Sequence, residues 1–145
     1  MSVIAWDSNV IAADRQGTVG GTPIVSPKLF AFKDMFFGCS GSAGNKFAFK
    51  CWIEKGAPDN NKPLITLLPD EGIGIILIKD GRCWLYSDES LFPTEIREPF
   101  WATGTGADYA MGAMAMGANA IEAVEIACRF DINCGLGVDS FSVRG

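Results

Sequence analysis

Ser2-Val3-Ile4-Ala5-Trp6-Asp7-Ser8-Asn9-Val10-Ile11-Ala12-Ala13-Asp14 opens the chain with two short apolar runs around one polar break. Ser2 to Trp6 has the pattern of a strand that starts at the second residue. Asp7-Ser8-Asn9 has the composition of a tight turn, because Asp and Asn side chains can hydrogen-bond their own backbone. Val10 to Ala13 is a second, fully apolar strand, closed by Asp14. The chain therefore begins as a hairpin.

Working outward, Gly17, Gly20 and Gly21 loosen the path up to Pro23. Ile24-Val25 and Lys28 to Lys33 read as strand pieces around a Ser26-Pro27 break. Met35 to Ser40 is another strand, running into Gly41-Ser42-Ala43-Gly44. Residues 45–55 favour a helix with Phe47, Phe49, Cys51 and Trp52 on its apolar side, stopped by Gly56 and Pro58. Residues 57–63 read as a polar loop. Ile73 to Lys79 and Arg82 to Ser87 form a hairpin about Asp80-Gly81. Phe100 to Thr103 is one more strand. The period then changes from two to nearer 3.6: Asp108 to Met116 is one helix, and a second runs from an Asn119 N-cap, with Glu122 three residues on, to Phe130. Residues 138–143 alternate as a final strand. Antiparallel pairs with helices grouped outside them imply a layered α+β fold and not a Rossmann sheet.

The 145 residues point to one domain, and 48% hydrophobic content is enough for a real core. A net charge of −5 without a Lys/Arg cluster argues against a polyanionic partner such as nucleic acid. The most apolar run, Ile73 to Ile78, is far too short to span a bilayer. The start of the chain has no basic region and no signal-type cleavage site, so the expected location is cytoplasmic. Cys39, Cys51, Cys83, Cys128 and Cys134 include no CxxC pair, and reduced thiols are expected. There is no histidine. That removes Ser-His-Asp and Cys-His catalysis and every histidine-containing metal site, and no cofactor or metal is implied.

A hydrolase without histidine must find its base elsewhere. If Met1 is removed, Ser2 carries a hydroxyl and a free α-amine on one residue. An α-amine has a pKa of roughly 7.7–8.0, so part of it is neutral near pH 7 and can take the hydroxyl proton. By itself, Ser2 is also an ordinary small residue. Asp14 at a strand end is usually a turn carboxylate, and Lys28 beside an apolar strand is usually a snorkelling surface cation. Near Ser2, however, a cation would favour the neutral amine and stabilise a serine alkoxide. Gly41 lies between a strand and a helix, where backbone N–H groups can hold an oxyanion, or it is a plain glycine turn. Gly104-Thr105-Gly106 is a second strand-to-helix junction, and Tyr109 rules out a dinucleotide fingerprint there. Asp131 is either a loop residue or part of a polar shell around an amine.

The order of these segments is more specific than any one of them. Val10-Ile11-Ala12-Ala13-Asp14-Arg15-Gln16-Gly17-Thr18, after a strand that starts at residue two, resembles the opening of proteasome β-type and HslV-like peptidase subunits. Ser26-Pro27-Lys28-Leu29-Phe30 resembles the lysine-bearing strand of that family, and Cys39-Ser40-Gly41-Ser42-Ala43 its glycine loop. Ala102 to Ala110 resembles its Gly-Ser-Gly helix start, and Arg129-Phe130-Asp131-Ile132-Asn133-Cys134-Gly135 its Arg-Asp-x-x-Ser-Gly segment. The resemblance covers nearly the whole chain.

It implies an N-terminal-nucleophile hydrolase fold: a four-layer αββα sandwich of two antiparallel sheets flanked by helices. It also implies roles. Ser2 stands at the nucleophile, Lys28 at the site lysine and Asp14 at the acid that orients it. The Gly41 N–H would form the oxyanion hole. Thr18 backbone groups would pair with an extended substrate. Thr105, Asp131 and Cys134 stand in the polar shell of the amine. Serine replaces the family's threonine, Cys134 replaces a serine, and a long helix typical of the family is missing between Gly56 and Ile73. The implied activity is peptide-bond hydrolysis on peptides or unfolded protein by a homo-oligomer, with any unfoldase partner unspecified. A catalytically silent proteasome-like scaffold is the alternative, and an amidohydrolase acting on a small amide is a third.

Overall fold

The computed structural model describes residues 2–40, 43–55, 74–87 and 93–143. β1 (Ile4–Trp6) and β2 (Val10–Asp14) pair antiparallel, with Ile4 opposite Ala13 and Trp6 opposite Ile11. The Asp7 carboxylate makes the turn between them by accepting the N–H groups of Asn9 and Val10, each at 2.8 Å. β10 (Trp101–Thr103) flanks β1 and β11 (Val138–Ser142) flanks β2, giving one sheet ordered β10-β1-β2-β11. The second sheet runs β5 (Leu29–Phe32), β6 (Met35–Cys39), β7 (Gly74–Lys79), β8 (Arg82–Ser87) and β9 (Thr94–Ile96), antiparallel at every step.

Strand alternation sorts the core into three interfaces. Val3, Ala5 and Ala12 face α2 (Ala107–Ala115) and α3 (Ala120–Phe130), and their small size lets the helices approach closely. Ile4, Trp6, Ile11 and Ala13 face Leu29, Ile76 and Ile78 of the second sheet. On that sheet's outer side, Met35, Phe37, Ile75 and Leu77 meet Phe49, Trp52 and Ile53 of α1 (Ala43–Glu54). The layers are helices, sheet, sheet, helix: an αββα sandwich. The hydrophobic effect supplies roughly 1.5–3 kcal/mol for each large side chain removed from water, and Ile4, Ile11, Ile75 and Ile76 are all fully buried. The two sheets also approach tightly. A Cβ at Gly38 would lie 2.6 Å from an Ile4 methyl carbon, so only glycine fits that crossing.

Asn119 caps α3 as expected, in a full capping box with Glu122. Asp80 and Gly81 both take positive φ at the β7–β8 turn, as a two-residue hairpin requires. Three features differ from the expectation. The glycine-rich path after Asp14 is a regular hairpin of β3 (Gln16–Val19) and β4 (Thr22–Val25), because Gly20 and Gly21 supply the two positive φ values of a tight turn. α1 starts at Ala43, two residues early. β9 was not anticipated: its Thr-Glu-Ile carries no alternating signal, and pairing with β8 decides it. The 57–63 loop and the segment between Gly56 and Ile73 lie outside the described residues. No helix among the described residues is long and apolar enough to cross a membrane.

Candidate active site

The site collects at the ends of β1, β2 and β5, and Asp14 is its centre. The carboxylate is fully buried, and every strong donor around it is fixed by the fold. Oδ1 accepts the Val3 N–H at 3.1 Å and the Lys28 ammonium at 2.6 Å. Oδ2 accepts the N–H groups of Gln16 at 3.2 Å and Gly135 at 3.1 Å. Three backbone donors and one cation thus hold one carboxylate, which meets the requirement that a buried charge be paired and hydrogen-bonded. Lys28 is also buried, and its ammonium donates a second bond to the Gln16 carbonyl at 2.7 Å. The surface-snorkelling alternative for Lys28 is therefore not what the structure shows. Because Asp14 Oδ1 bonds both Val3 and Lys28, the ammonium sits beside the residue that follows Ser2.

Ser2 is gripped by its backbone. Its N–H donates to Thr105 Oγ1 at 3.2 Å, and its carbonyl accepts the Gly106 N–H at 3.1 Å. Gly104 makes this approach feasible. It has φ +101°, and a Cβ there would fall 2.2 Å from the Ser2 carbonyl oxygen. In contrast, the Ser2 hydroxyl is buried and has no hydrogen-bond partner among the described residues.

Behind Thr105 lies Asp131, at the C-terminal end of α3. Its carboxylate accepts the Asn133 N–H at 2.9 Å and the Cys134 thiol at 3.5 Å, and it bonds the Thr105 side chain. Burial pushes the Asp131 pKa up, but these hydrogen bonds outweigh it and hold the carboxyl below its ordinary value. Burial, with the negative charges of Asp14 and Asp131, pushes the Cys134 thiol up to about 12. Cys134 thus remains a neutral donor at ordinary pH.

The structure brings together Ser2, Asp14, Lys28, Thr105, Asp131 and Cys134. Thr18 is exposed on β3, whose pairing partner in the sheet order is β4 alone. Gly41 lies outside the described residues. Sequence reasoning missed the Val3, Gln16 and Gly135 peptide groups, since a backbone donor has no residue-type signature. It also missed Ser26 and Lys46, whose side chains bond each other at 2.6 Å near Lys28. Lys46 was hidden among the aromatic residues of α1. Among the described residues, no group of three or more His, Cys, Asp or Glu side chains is placed to hold a metal ion.

The fold is the one seen in solved HslV- and BPH-type structures. No protein-family model matches the sequence, and no curated protein is similar enough to match it. Solved structures do match along the full length. The structure of Thiobacillus denitrificans BPH in complex with epoxomicin superposes with a TM-score of 0.71 at 19% identity, covering 99% of both chains. A second structure of that BPH gives 0.71 at 19%, covering 97% of this chain and 95% of its own. Eukaryotic HslV from Trypanosoma brucei gives 0.71 at 15%, covering 97% of both chains.

Proposed function

We propose that the chain is a peptidase subunit that cuts peptide bonds with Ser2 as an N-terminal nucleophile. The observation that carries this reading is the Ser2 hydroxyl. It is a buried polar group left without a partner among the described residues, at a cost of roughly 1–3 kcal/mol, and the N–H of the next residue, Val3, bonds the carboxylate of the buried Lys28–Asp14 ion pair. Groups around it hold the Ser2 backbone and leave the reactive oxygen unpaired.

The chemistry follows once Ser2 is the first residue. Its α-amine takes the hydroxyl proton, and Oγ attacks the substrate carbonyl carbon. The Lys28 ammonium favours the neutral amine and lowers the energy of the alkoxide. Asp14 orients Lys28. Thr105 positions the amine nitrogen, backed by Asp131 and Cys134. The Gly41 N–H takes the oxyanion, and Thr18 on the free edge of β3 pairs with the extended substrate. As the C–N bond breaks, the leaving amine receives the proton. The resulting seryl ester is then hydrolysed by water. We place this activity in a homo-oligomer in the cytoplasm. The silent-scaffold alternative is favoured by Met1 ahead of Ser2, since a peptide bond there consumes the amine, by serine in place of threonine, and by Cys134 in place of a serine.

The test compares three proteins on fluorogenic peptides: one with Ser2 exposed as the first residue, one with Met1 retained, and Ser2→Ala. The first should hydrolyse, and the other two should lose essentially all activity. Ser2→Ala should melt no lower than wild type, because the deleted hydroxyl has no partner to lose. Equal rates in all three would discard the mechanism. Absence of activity from protein with a free Ser2 amine would favour the scaffold.

A further inference from the structure

Lys46 is a second buried lysine that the mechanism above does not use. It occupies the inward stripe of α1, in the i, i+3, i+7 series with Phe49 and Ile53, where an apolar residue is the norm. It is only 9% exposed. Its ammonium carries three N–H donors, and Ser26 Oγ at 2.6 Å is its one hydrogen-bond acceptor among the described residues. Among those residues no carboxylate lies within ion-pair distance of it. A cation removed from water normally has an anion beside it, so this one is short of a partner.

Its place in the site gives that shortage a direction. Lys46 feels the charges of both Lys28 and Asp14, and burial holds its pKa below the ordinary lysine value. Ser26, which holds the ammonium, lies directly under Gly17 of β3. A Cβ on Gly17 would come within 2.7 Å of Ser26 Cβ and 3.3 Å of its Oγ. The strand proposed to carry the substrate therefore packs closely on Ser26, the residue that holds the Lys46 ammonium. Cys39 N–H bonds the Lys28 carbonyl at 2.9 Å, which ties the same floor to the site lysine.

We infer that Lys46 is a specificity-determining residue: its ammonium receives the carboxylate of an acidic substrate side chain next to the scissile bond. This deepens the peptidase reading and rests on it. Glutamate supplies the missing anion, glutamine supplies the same shape without the charge, and lysine adds a third cation beside Lys28 and Lys46. The overall charge of −5 opposes acidic ligands at long range, so the selection comes from contact and not from steering.

The experiment has two arms with the same amidated or fluorogenic peptides, differing only in Glu, Gln or Lys on the acyl side of the scissile bond. One arm measures kcat/KM on protein with a free Ser2. The other measures binding to Ser2→Ala protein by fluorescence anisotropy, which needs no turnover. A charge-assisted contact in a dry site should favour Glu over Gln by about 10–100-fold in both arms. Lys46→Met, which keeps the aliphatic stem, should bring that ratio close to one. If Lys46→Met does not fold, Lys46→Gln takes its place, and the wild-type Glu-to-Gln ratio decides without any variant. Glu-selective binding without hydrolysis would support this site while removing the peptidase reading. A wild-type ratio near one, an unchanged ratio in Lys46→Met, or no binding of the Glu peptide at millimolar concentration overturns the proposal.

Discussion

Replacing Asp14 by asparagine changes one oxygen to an NH2 group and nothing in the shape, yet the fold offers that group no acceptable orientation. Turned one way, the NH2 faces the Val3 N–H and the Lys28 ammonium; turned the other way, it faces the N–H groups of Gln16 and Gly135. Either way a donor confronts two donors. The variant also removes the anion beside the buried Lys28 cation and leaves it neutral acceptors, the Gln16 carbonyl among them. Breaking a buried ion pair from one side costs about 3–5 kcal/mol. That is a large share of the 5–15 kcal/mol typical of a whole domain. At about 2–4 °C per kcal/mol for a chain near this size, Tm should fall by roughly 6–20 °C. Lys28→Met is the instructive comparison. It leaves the Asp14 carboxylate with three charge-assisted backbone hydrogen bonds, so it should cost about 1–2 kcal/mol less than Asp14→Asn. Urea unfolding of the three proteins at pH 7 measures both gaps. If Asp14→Asn lies within about 1 kcal/mol of wild type, or Lys28→Met proves the worse variant, the account of Asp14 as the organising group is wrong.

Two further outcomes are expected. The folded-state pKa of Asp131 lies below its unfolded value, so its contribution to stability is fully present above about pH 4 and is lost as pH falls through the folded pKa. The stability gap between wild type and Asp131→Asn should therefore be constant from pH 5 to 7 and close on acidification; a gap that widened in acid would contradict the hydrogen-bond assignment. Tyr109, Phe130, Ile132 and Leu136 leave apolar surface exposed near the end of α3, with Tyr109 stacked on Phe130. This surface suits burial between copies, and light scattering at micromolar concentration should report a homo-oligomer, a monomeric mass being the contrary result.

Much of this arrangement was legible from residue patterns, for reasons that differ between elements. The opening hairpin was clear because Asp7-Ser8-Asn9 separates two apolar runs, and α3 because Asn119 and Glu122 bracket its start. The β3–β4 hairpin was not read, since Val19, Thr22 and Pro23 carry no alternation; the Gly20-Gly21 pair was the available signal. Lys28 and Asp14 could be nominated only through the order of segments, as neither residue differs locally from a surface lysine or a turn carboxylate. Their 2.6 Å contact depends on where β5 passes β2, which is a property of sheet packing. The peptide N–H groups of Val3, Gln16 and Gly135 were beyond reach for a different reason: any residue except proline supplies one. Lys46 was missed although a signal existed: a lysine within an apolar helix stripe is a local conflict of the kind expected at functional sites.

That conflict bears on the choice between an enzyme and a scaffold. A lone unpaired polar atom decides little: Trp6 Nε1 is another, at the far end of β1, where no buried ion pair lies among the described residues. Around the Lys28–Asp14 pair, two groups are incomplete. Among the described residues the Ser2 hydroxyl has no partner and the Lys46 ammonium, which feels both charges of the pair, has no anion. A pure scaffold could relieve both with apolar side chains of similar volume, and such replacements are often neutral or stabilising. An acidic peptide bound along the open edge of β3 would complete both in one event, its carbonyl meeting Ser2 Oγ and its carboxylate meeting Lys46. The Glu-to-Gln ratio in the non-hydrolysing Ser2→Ala protein therefore tests whether the site is built for a ligand before any bond is cut.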